Sequence, residues 1–209
     1  TQMVELMSYP PVLSRSSYKR TTQVVARELL GKLLVRTDPN GEVVVRLTEV
    51  EAYLGIGDRA CHTYGGRRTR RTETMWGEAG HAYVYLIYGL HNCLNVVTAG
   101  PGRPEAVLIR GGIVEGGREL VRARRGPMVG ERSWTDGPGK LCQALSISCE
   151  DDGTDLCAPG SSIRICDDGF RVAEDRVQRL PRIGVDYAGE AASWPLRLTY
   201  DHAGVATRR

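Results

Sequence analysis

The 209-residue sequence predicts a single α+β domain with a curved, mostly antiparallel sheet flanked by helices. Two observations favour this class. The predicted strands follow one another in hairpin pairs, without the regular strand–helix alternation of a parallel sheet. The chain contains no repeat, low-complexity tract or evident internal linker, and its length suits one domain with a sizeable core. We expect this domain to cover residues 21–209, after an extended lead-in over residues 1–20.

The first elements after the lead-in are a helix and a hairpin. Thr21 and Thr22 can cap a helix through residues 24–30, which Gly31 ends. Strands are expected over residues 32–36 and 42–54. They are joined by an Asp-Pro-Asn-Gly sequence, which is a strong hairpin signal.

A second hairpin and several shorter elements follow. The hairpin is predicted from strands over residues 83–88 and 93–98 around a Gly-Leu-His-Asn turn. The remaining predicted elements are a strand at 106–110, a helix at 115–125, a loop at 125–139, a helix at 140–145, and strands at 162–165 and 196–200.

The composition is that of a globular protein. Hydrophobic residues make up 41% of the chain and charged residues 25%, and no apolar run approaches the ~18 residues of a membrane span. The six cysteines have no CxxC spacing, and no signal peptide is recognised. We therefore expect reduced thiols, mostly in the core, in a soluble intracellular protein: cytoplasmic if bacterial, nuclear if eukaryotic.

Positive charge is unevenly distributed. The formal net charge is only +3, yet four arginines fall within residues 67–71 and four more within residues 118–125. Such runs are typical either of solvated loops or of a patch that binds a polyanion. Only three lysines are present, so few side chains could act as Schiff-base nucleophiles.

Two carboxylates on the second strand are candidate functional groups. Strand alternation predicts that Val45, Leu47, Glu49, Glu51 and Tyr53 share one face. A carboxylate among apolar and aromatic neighbours is either paired, here with an arginine at the strand end, or used in chemistry with a raised pKa. The sequence leaves both interpretations open.

His62 could fold back over the end of that strand, past the turn at residues 55–57. A lone histidine is often a structural group, so this position does not identify a site by itself. A metal site made of Glu49, Glu51 and His62 is conceivable, but it lacks a recognised ligand spacing.

The second hairpin is rich in tyrosine. Tyr83 and Tyr85 are predicted to face one way, and Tyr88 the other way at the tip, where an aromatic side chain can act as a wedge between bases. Tyr85 could wall a pocket, although all three could also be core residues. Asn95 is expected nearly opposite residues 85–88, where its amide could read donor and acceptor patterns.

An ordered set of motifs resembles the alkyladenine DNA glycosylase family, also called 3-methyladenine DNA glycosylases. The match runs from about residue 29 to about residue 198. The segments that carry it are residues 48–54, His62, 65–67, Met75, 80–95, 107–110 and 137–145. No single motif would suffice, but the ordered set is specific.

The resemblance implies roles for individual residues. Glu51 matches the family's general base, which activates the water that attacks C1′ of a flipped nucleotide. Arg110 matches the arginine that helps to hold this water. Tyr53, His62 and Tyr85 match the aromatic walls that stack on the extruded base.

Further positions match DNA contacts. Asn95 matches the residue that disfavours the 2-amino group of guanine, and Tyr88 matches the tyrosine that fills the vacated stack. Val185 matches, more loosely, a residue whose carbonyl holds the water. The positions that match contacts to the DNA backbone are Arg67, Thr69, Arg71 and Lys140.

The implied function is that of a monofunctional DNA glycosylase of base excision repair. Its hairpin would enter double-stranded DNA, and the enzyme would flip out 3-methyladenine, 7-methylguanine, hypoxanthine or ethenoadenine and leave an abasic site. We expect a monomer that needs no metal or other cofactor and has no membrane partner. Two alternatives are a non-catalytic nucleic-acid binding module and a metal-dependent hydrolase that uses Glu49, Glu51 and His62.

Overall fold

The computed structural model describes residues 10–202. The helices in this range are α1 (Arg15–Tyr18), α2 (Thr22–Leu29), α3 (Arg118–Arg125) and α4 (Pro138–Leu145). The strands are β1 (Leu33–Asp38), β2 (Gly41–Tyr53), β3 (Ala82–Ile87), β4 (His91–Gly100), β5 (Arg103–Gly116), β6 (Ile163–Cys166), β7 (Gln178–Leu180) and β8 (Arg197–Thr199). Short 3₁₀ helices cover Gly55–Gly57, Tyr64–Gly66, Glu73–Trp76, Glu131–Ser133, Cys149–Asp151, Glu174–Arg176 and Asp186–Ser193.

All of these strands belong to one antiparallel sheet. Six of them lie in the order β3-β4-β5-β2-β1-β6, and β8 pairs with both β2 and β7. The long strand β2 pairs with β5 along one edge, and with β1 and then β8 along the other. The predicted α+β class, both hairpins and the antiparallel pairing are confirmed. β2 thus brings early, central and late parts of the chain to one place.

The main core lies between the helices and one face of the sheet. Helix α2 packs on β2 and β5, and α4 packs on β4 and β5. Trp134, Leu141 and Leu145 are among the largest side chains buried there. The hydroxyl of Thr22 does not cap α2 as predicted, because it bonds to Thr98 and Glu105 inside the protein.

The structure extends several predicted elements. β5 has 14 residues, whereas the sequence predicted a strand only at residues 106–110. The prediction was too short because Pro104 and the Gly111–Gly112 pair interrupt the strand-like composition. Strand β7 was not predicted. Residues 10–20, expected as an extended lead-in, include α1 and the fully buried Tyr18. Residues 1–9, the rest of that lead-in, lie outside the described range.

A bulge at Thr48 reverses the alternation of β2, so the prediction that its five alternate residues share one face was wrong. Leu47 pairs with Gly112 and Glu49 with Gly111, which leaves Thr48 as an extra residue on β2. Val50 then pairs with Ile109, which leaves Arg110 as an extra residue on β5. As a result Val45 and Leu47 lie in the main core together with Val50 and Ala52, two residues of opposite parity. Bulges re-aim side chains in this way, and here the bulge at Thr48 turns Glu49, Glu51 and Tyr53 away from the core.

Candidate active site

An aromatic pocket of about 290 Å³ lies on the sheet face opposite the main core. This volume is near the lower end of the ~300–1,000 Å³ range of small-ligand sites, which suits a single planar base. The lining residues come from β2, the loop after it, the 3₁₀ helix at Glu73–Trp76, the second hairpin, β5 and the 183–187 segment. They are Tyr53, Ala60, Cys61, His62, Met75, Tyr83, Tyr85, Ile87, Tyr88, Asn95, Ala106, Ile183, Gly184, Val185 and Tyr187. We call this cavity the base pocket.

Glu51 lies behind the base pocket and is fully buried. Its Oε2 atom accepts a hydrogen bond from the Tyr53 hydroxyl at 2.9 Å, and its Oε1 atom accepts one from the Ile183 amide at 2.8 Å. Burial raises the pKa of Glu51 above its ordinary value, and Arg110, Ile183 and Tyr53 oppose this rise. The carboxylate is therefore held by fixed donors one side chain away from the base pocket.

Arg110 connects the two carboxylates of β2. Its Nε atom lies 3.2 Å from Glu49 Oε1 and 3.5 Å from Glu51 Oε1. Glu49 also accepts a hydrogen bond from Arg197 Nη1 at 3.0 Å. Glu49 is thus paired with arginines, which agrees with the structural interpretation of this carboxylate given above. Glu51 lies close to Arg110 but accepts no hydrogen bond from it.

His62 and the hairpin tyrosines form a connected aromatic group. His62 Nδ1 lies 3.0 Å from the Tyr83 hydroxyl, and its ring meets that of Tyr85 edge-on with centroids 4.7 Å apart. Burial lowers the pKa of His62 to about 4, and the charges of Arg71 and Arg67 add to this shift. His62 is therefore neutral at physiological pH.

Asn95 lies opposite Tyr83 rather than opposite residues 85–88, because β3 and β4 pair Tyr83 with Asn95 and Tyr85 with Cys93. Its side chain is buried, and its amide nitrogen donates to the Tyr83 carbonyl oxygen at 3.1 Å. This hydrogen bond fixes which way the amide points on the pocket wall.

Tyr88 lies at the hairpin tip in an unusual conformation. Its φ is +53° and that of Gly89 is +68°, and the turn is closed by the Leu90 amide donating to the Ile87 carbonyl at 3.1 Å. Two successive positive φ values are typical of a type I′ turn, whose first position favours Asn, Asp or Gly over an aromatic residue. The side chain is 86% exposed, and it lines the same pocket as Tyr83 and Tyr85, so the predicted opposite orientation was wrong. A strained, exposed tyrosine beside a pocket is a feature of functional sites.

The arginine-rich segment at residues 67–71 borders a second groove, which has a volume of about 380 Å³. Three residues, Cys61, His62 and Tyr187, line both this groove and the base pocket. The groove's other lining residues are Arg59, Tyr64, Arg67, Thr69, Arg71 and Thr72. We call it the arginine groove. Arg71 also lies over the Tyr85 ring, with its guanidinium carbon 4.9 Å from the ring centroid. Positive charge therefore reaches the rim of the base pocket.

Comparison with known proteins identifies the family. A sequence profile described as methylpurine-DNA glycosylase matches residues 16–203. This chain belongs to the methylpurine-DNA glycosylase family. A relative from Methanocella arvoryzae is 49% identical over 191 residues, which cover 91% of this chain and 92% of the relative. Relatives from Bdellovibrio bacteriovorus (44% over 199 residues, 94% and 100%) and Myxococcus xanthus (48% over 186 residues, 89% and 88%) are similarly complete, and all three are provisionally named 3-methyladenine DNA glycosylases.

Membership of the methylpurine-DNA glycosylase family makes the chain a DNA glycosylase, a hydrolase of N-glycosyl bonds. The structure brings Tyr53, His62, Tyr85, Tyr88 and Asn95 together around the base pocket. Arg67, Thr69 and Arg71 border the arginine groove. Lys140 lies apart from both cavities and pairs with Asp136 at 2.8 Å on the side of α4.

Sequence reasoning missed several residues of the candidate site. Tyr83 forms a hydrogen bond with His62. Its position two residues before Tyr85, on the same face of the strand, could have indicated a place in the same pocket. Ile183, two residues before Val185, supplies the amide that binds Glu51, while Val185 lines the pocket. Arg197 binds Glu49, and neither it nor Ile183 carried a sequence signal that pointed to β2.

The metallohydrolase alternative requires Glu49, Glu51 and His62 to converge. Within residues 10–202, no group of three or more His, Cys, Asp or Glu side chains is arranged to hold a metal ion. Glu51 instead faces an amide and a hydroxyl, and His62 faces Tyr83. The six cysteines are free thiols, four of them buried, as predicted. None of the helices between residues 10 and 202 has the length and apolar character needed to cross a membrane.

Proposed function

We propose that this glycosylase extrudes a damaged purine nucleotide from double-stranded DNA and hydrolyses its N-glycosidic bond with a water activated by Glu51. The observation that carries the proposal is the position of a buried, hydrogen-bonded carboxylate directly behind a one-base aromatic pocket, beside a strained and exposed tyrosine. A pocket for a base and a device for replacing it in the duplex are both needed by an enzyme that acts on a base inside the helix.

Tyr88 is the proposed wedge. Because the side chain is 86% exposed in the free protein, it is available to stack between base pairs where the extruded nucleotide was. The neighbouring residues Leu86 and Leu90 are also exposed, so the tip presents apolar surface to the duplex. In this proposal the arginine groove beside the base pocket binds backbone phosphates through Arg67, Thr69 and Arg71.

The base pocket would hold the extruded base between tyrosine and histidine rings. Alkylation at N3 or N7 makes a purine cationic, which weakens its glycosidic bond and favours stacking on the electron-rich faces of Tyr53 and Tyr85. Asn95, fixed by the Tyr83 carbonyl, would exclude the 2-amino group of normal guanine. The substrates proposed on this basis are 3-methyladenine, 7-methylguanine, hypoxanthine and ethenoadenine.

In the chemical step, the oxygen of water attacks C1′ while the bond from C1′ to the purine nitrogen breaks. The bonding electrons leave with the purine, and the proton of the water passes to Glu51. A carboxylate whose pKa is raised by burial is a stronger base than one in water, which suits this role. Arg110, 3.5 Å from Glu51, would help to hold the water. A purine that is uncharged in DNA, such as hypoxanthine, would leave as an anion and therefore also needs protonation of the leaving group.

We further propose that the enzyme is monofunctional and acts as a monomer. The residues that line the base pocket within the described part of the chain include no lysine, so water rather than an amine is the proposed nucleophile. The product would be an abasic site in an uncut strand.

The proposal is tested by incubating the protein with duplexes that carry a single hypoxanthine, ethenoadenine or methylated purine. Samples with and without alkali treatment are then compared on denaturing gels. Cleavage is expected only after alkali, and it should be unaffected by a chelator. Strand cleavage without alkali would overturn the monofunctional assignment, and loss of activity in chelator would favour the metal-dependent alternative. Tight binding without base release would favour a non-catalytic binding module.

A further inference from the structure

The segment that presents the Ile183 amide to Glu51 is anchored by the preceding residue, Arg182. Arg182 and Asp58 have fully buried side chains and form a two-point ion pair, with distances of 2.5 Å from Nη1 to Oδ2 and 2.8 Å from Nη2 to Oδ1. The same guanidinium donates to the carbonyl oxygens of Ala52 at 3.0 Å and Ala191 at 3.1 Å. One side chain thus fixes the residue before Ile183 to β2 and to the 3₁₀ helix at Asp186–Ser193.

Asp58, the other partner, is tied to the wall of the base pocket. Its carboxylate also accepts hydrogen bonds from the backbone amides of Leu54 and Ala60, each at 3.0 Å. Ala60 lines the base pocket, and Leu54 directly follows Tyr53. The ion pair therefore links the loop after β2 to the segment that contains Ile183.

Arg182 also supports the second donor to Glu51. Its guanidinium carbon lies 4.7 Å from the centroid of the Tyr53 ring, a cation–π contact on a ring whose hydroxyl donates to Glu51 Oε2. Both donors on the Glu51 carboxylate are thus held by Arg182, the Ile183 amide through the chain and the Tyr53 hydroxyl through the ring.

A fully buried ion pair is weak evidence for added stability, because the cost of desolvating both charges offsets their attraction. We infer that the Arg182–Asp58 pair positions Glu51 by holding the Ile183 amide and the Tyr53 hydroxyl on its two carboxylate oxygens. Neither partner lines the base pocket, so both are positioning residues rather than catalytic ones. The inference rests on the proposed function of Glu51 as the general base.

Weakening the Arg182–Asp58 ion pair should have two effects on catalysis. The amide and the hydroxyl both stabilise the charged form of Glu51, so weakening them raises the pKa of this carboxyl further above its ordinary value. A general base works only when deprotonated, and the acidic limb of the pH–rate profile therefore moves to higher pH. The rate on the plateau also falls, because misplacing a catalytic group by about 1 Å can cost ~10²-fold.

The test compares Arg182→Lys with a matched control, Arg124→Lys. Arg124 forms a mostly buried pair with Asp38 at 2.6 Å and donates to the Ala144 carbonyl at 3.2 Å, between α3 and α4 and away from the base pocket. Single-turnover excision is measured against pH on a duplex with 7-methylguanine, whose departure as a neutral base needs no protonation. Arg182→Lys should lower the plateau by about 10- to 100-fold and move the acidic limb upward. Arg124→Lys should lower only the melting temperature.

A folded Arg182→Lys protein with the wild-type limb and plateau would overturn the inference. If that variant does not fold, wild-type protein and Asp58→Asn are compared by NMR, with the Ile183 amide shift and the Glu51 carboxyl shift followed against pH. The two signals should titrate together in the wild type, and the response of the Ile183 amide shift to the titration of Glu51 should be weaker in Asp58→Asn. A wild-type Ile183 amide shift that does not change as Glu51 titrates would also overturn the inference. A separate variant, Glu51→Gln, tests the proposed function itself. If Glu51 is not the general base, this variant should retain excision activity whatever the result for Arg182→Lys.

Discussion

Replacing Tyr88 by glycine should weaken base flipping while leaving the free protein as stable as before or more so. The ring is 86% exposed, so its removal costs little buried apolar surface. The φ of +53° is an αL conformation, which costs a residue other than glycine about 1–3 kcal/mol. Glycine removes this strain but makes the unfolded chain more flexible, which offsets about 0.5–1 kcal/mol. The net change in the free energy of unfolding should thus lie between about zero and +2.5 kcal/mol.

The flipped complex should change in the opposite direction. Base–aromatic stacking contributes about 1–3 kcal/mol per base, so its loss should lower the flipping equilibrium by about 5- to 150-fold. Fluorescence of ethenoadenine in a duplex reports this equilibrium, and thermal unfolding of the free protein reports the stability. Tyr88→Ser is the matched variant, because it loses the ring but keeps a Cβ atom at the strained position. It should lose flipping without the gain in stability.

Normal flipping by Tyr88→Gly, together with a melting temperature lowered by many degrees, would contradict the wedge role. Tyr88 would then be a packing residue, and the strain at the turn would have a structural origin. A glycine variant that is less stable than the serine variant by about 0.5–1 kcal/mol would show separately that the positive φ carries no measurable strain.

Three further variants test residues in or directly behind the base pocket. Glu51→Gln should lower single-turnover excision by about 10²–10⁴-fold with lesion binding retained, and a rate within tenfold of wild type would contradict the general-base role. The same variant should be at least as stable as wild type at neutral pH. Because burial raises the folded pKa of Glu51, the charged carboxylate destabilises the fold above that pKa, and the advantage of the uncharged amide in the variant should vanish in thermal unfolding as the pH falls through it. Asn95→Ala should raise excision of normal guanine relative to hypoxanthine, and unchanged relative rates would exclude a gating role. Tyr53→Phe removes one donor to Glu51, so the acidic limb of its pH–rate profile should move to higher pH, whereas an unmoved limb would show that this hydrogen bond does not tune the base.

The elements that could be predicted from the sequence are those set by local chemistry. The turn between β1 and β2 ends in Gly41 with a φ of +131°, a conformation that glycine adopts without the strain of a Cβ atom. The strand predicted over residues 83–88 corresponds to β3 (Ala82–Ile87), and the tyrosines on one of its faces do line a pocket. These signals span only a few residues, so they can be recognised without knowledge of the rest of the fold.

The faces of β2 and β5 could not be predicted, because bulges are decided by pairing between strands. Thr48 and Arg110 are each left without a partner in the ladder, and nothing in either strand alone marks them as bulge residues. The bulge at Thr48 places Leu47 and Glu49 on opposite faces of the sheet. A simple alternation pattern places these residues on the same face, and that pattern fails at the candidate site.

The antiparallel α+β class, the aromatic hairpin and the types of residue available for chemistry could be predicted, since these depend on composition, short-range periodicity and motif order. The way in which the carboxylate of Glu51 is held depends on the packing of distant segments. The Ile183 amide reaches Glu51 from 132 positions along the chain, and Arg182 reaches Asp58 from 124 positions. Such contacts form because β8 and the 181–187 segment fold back onto the second half of β2. A hydrogen bond between distant residues depends on that packing, and it leaves no local pattern in the sequence.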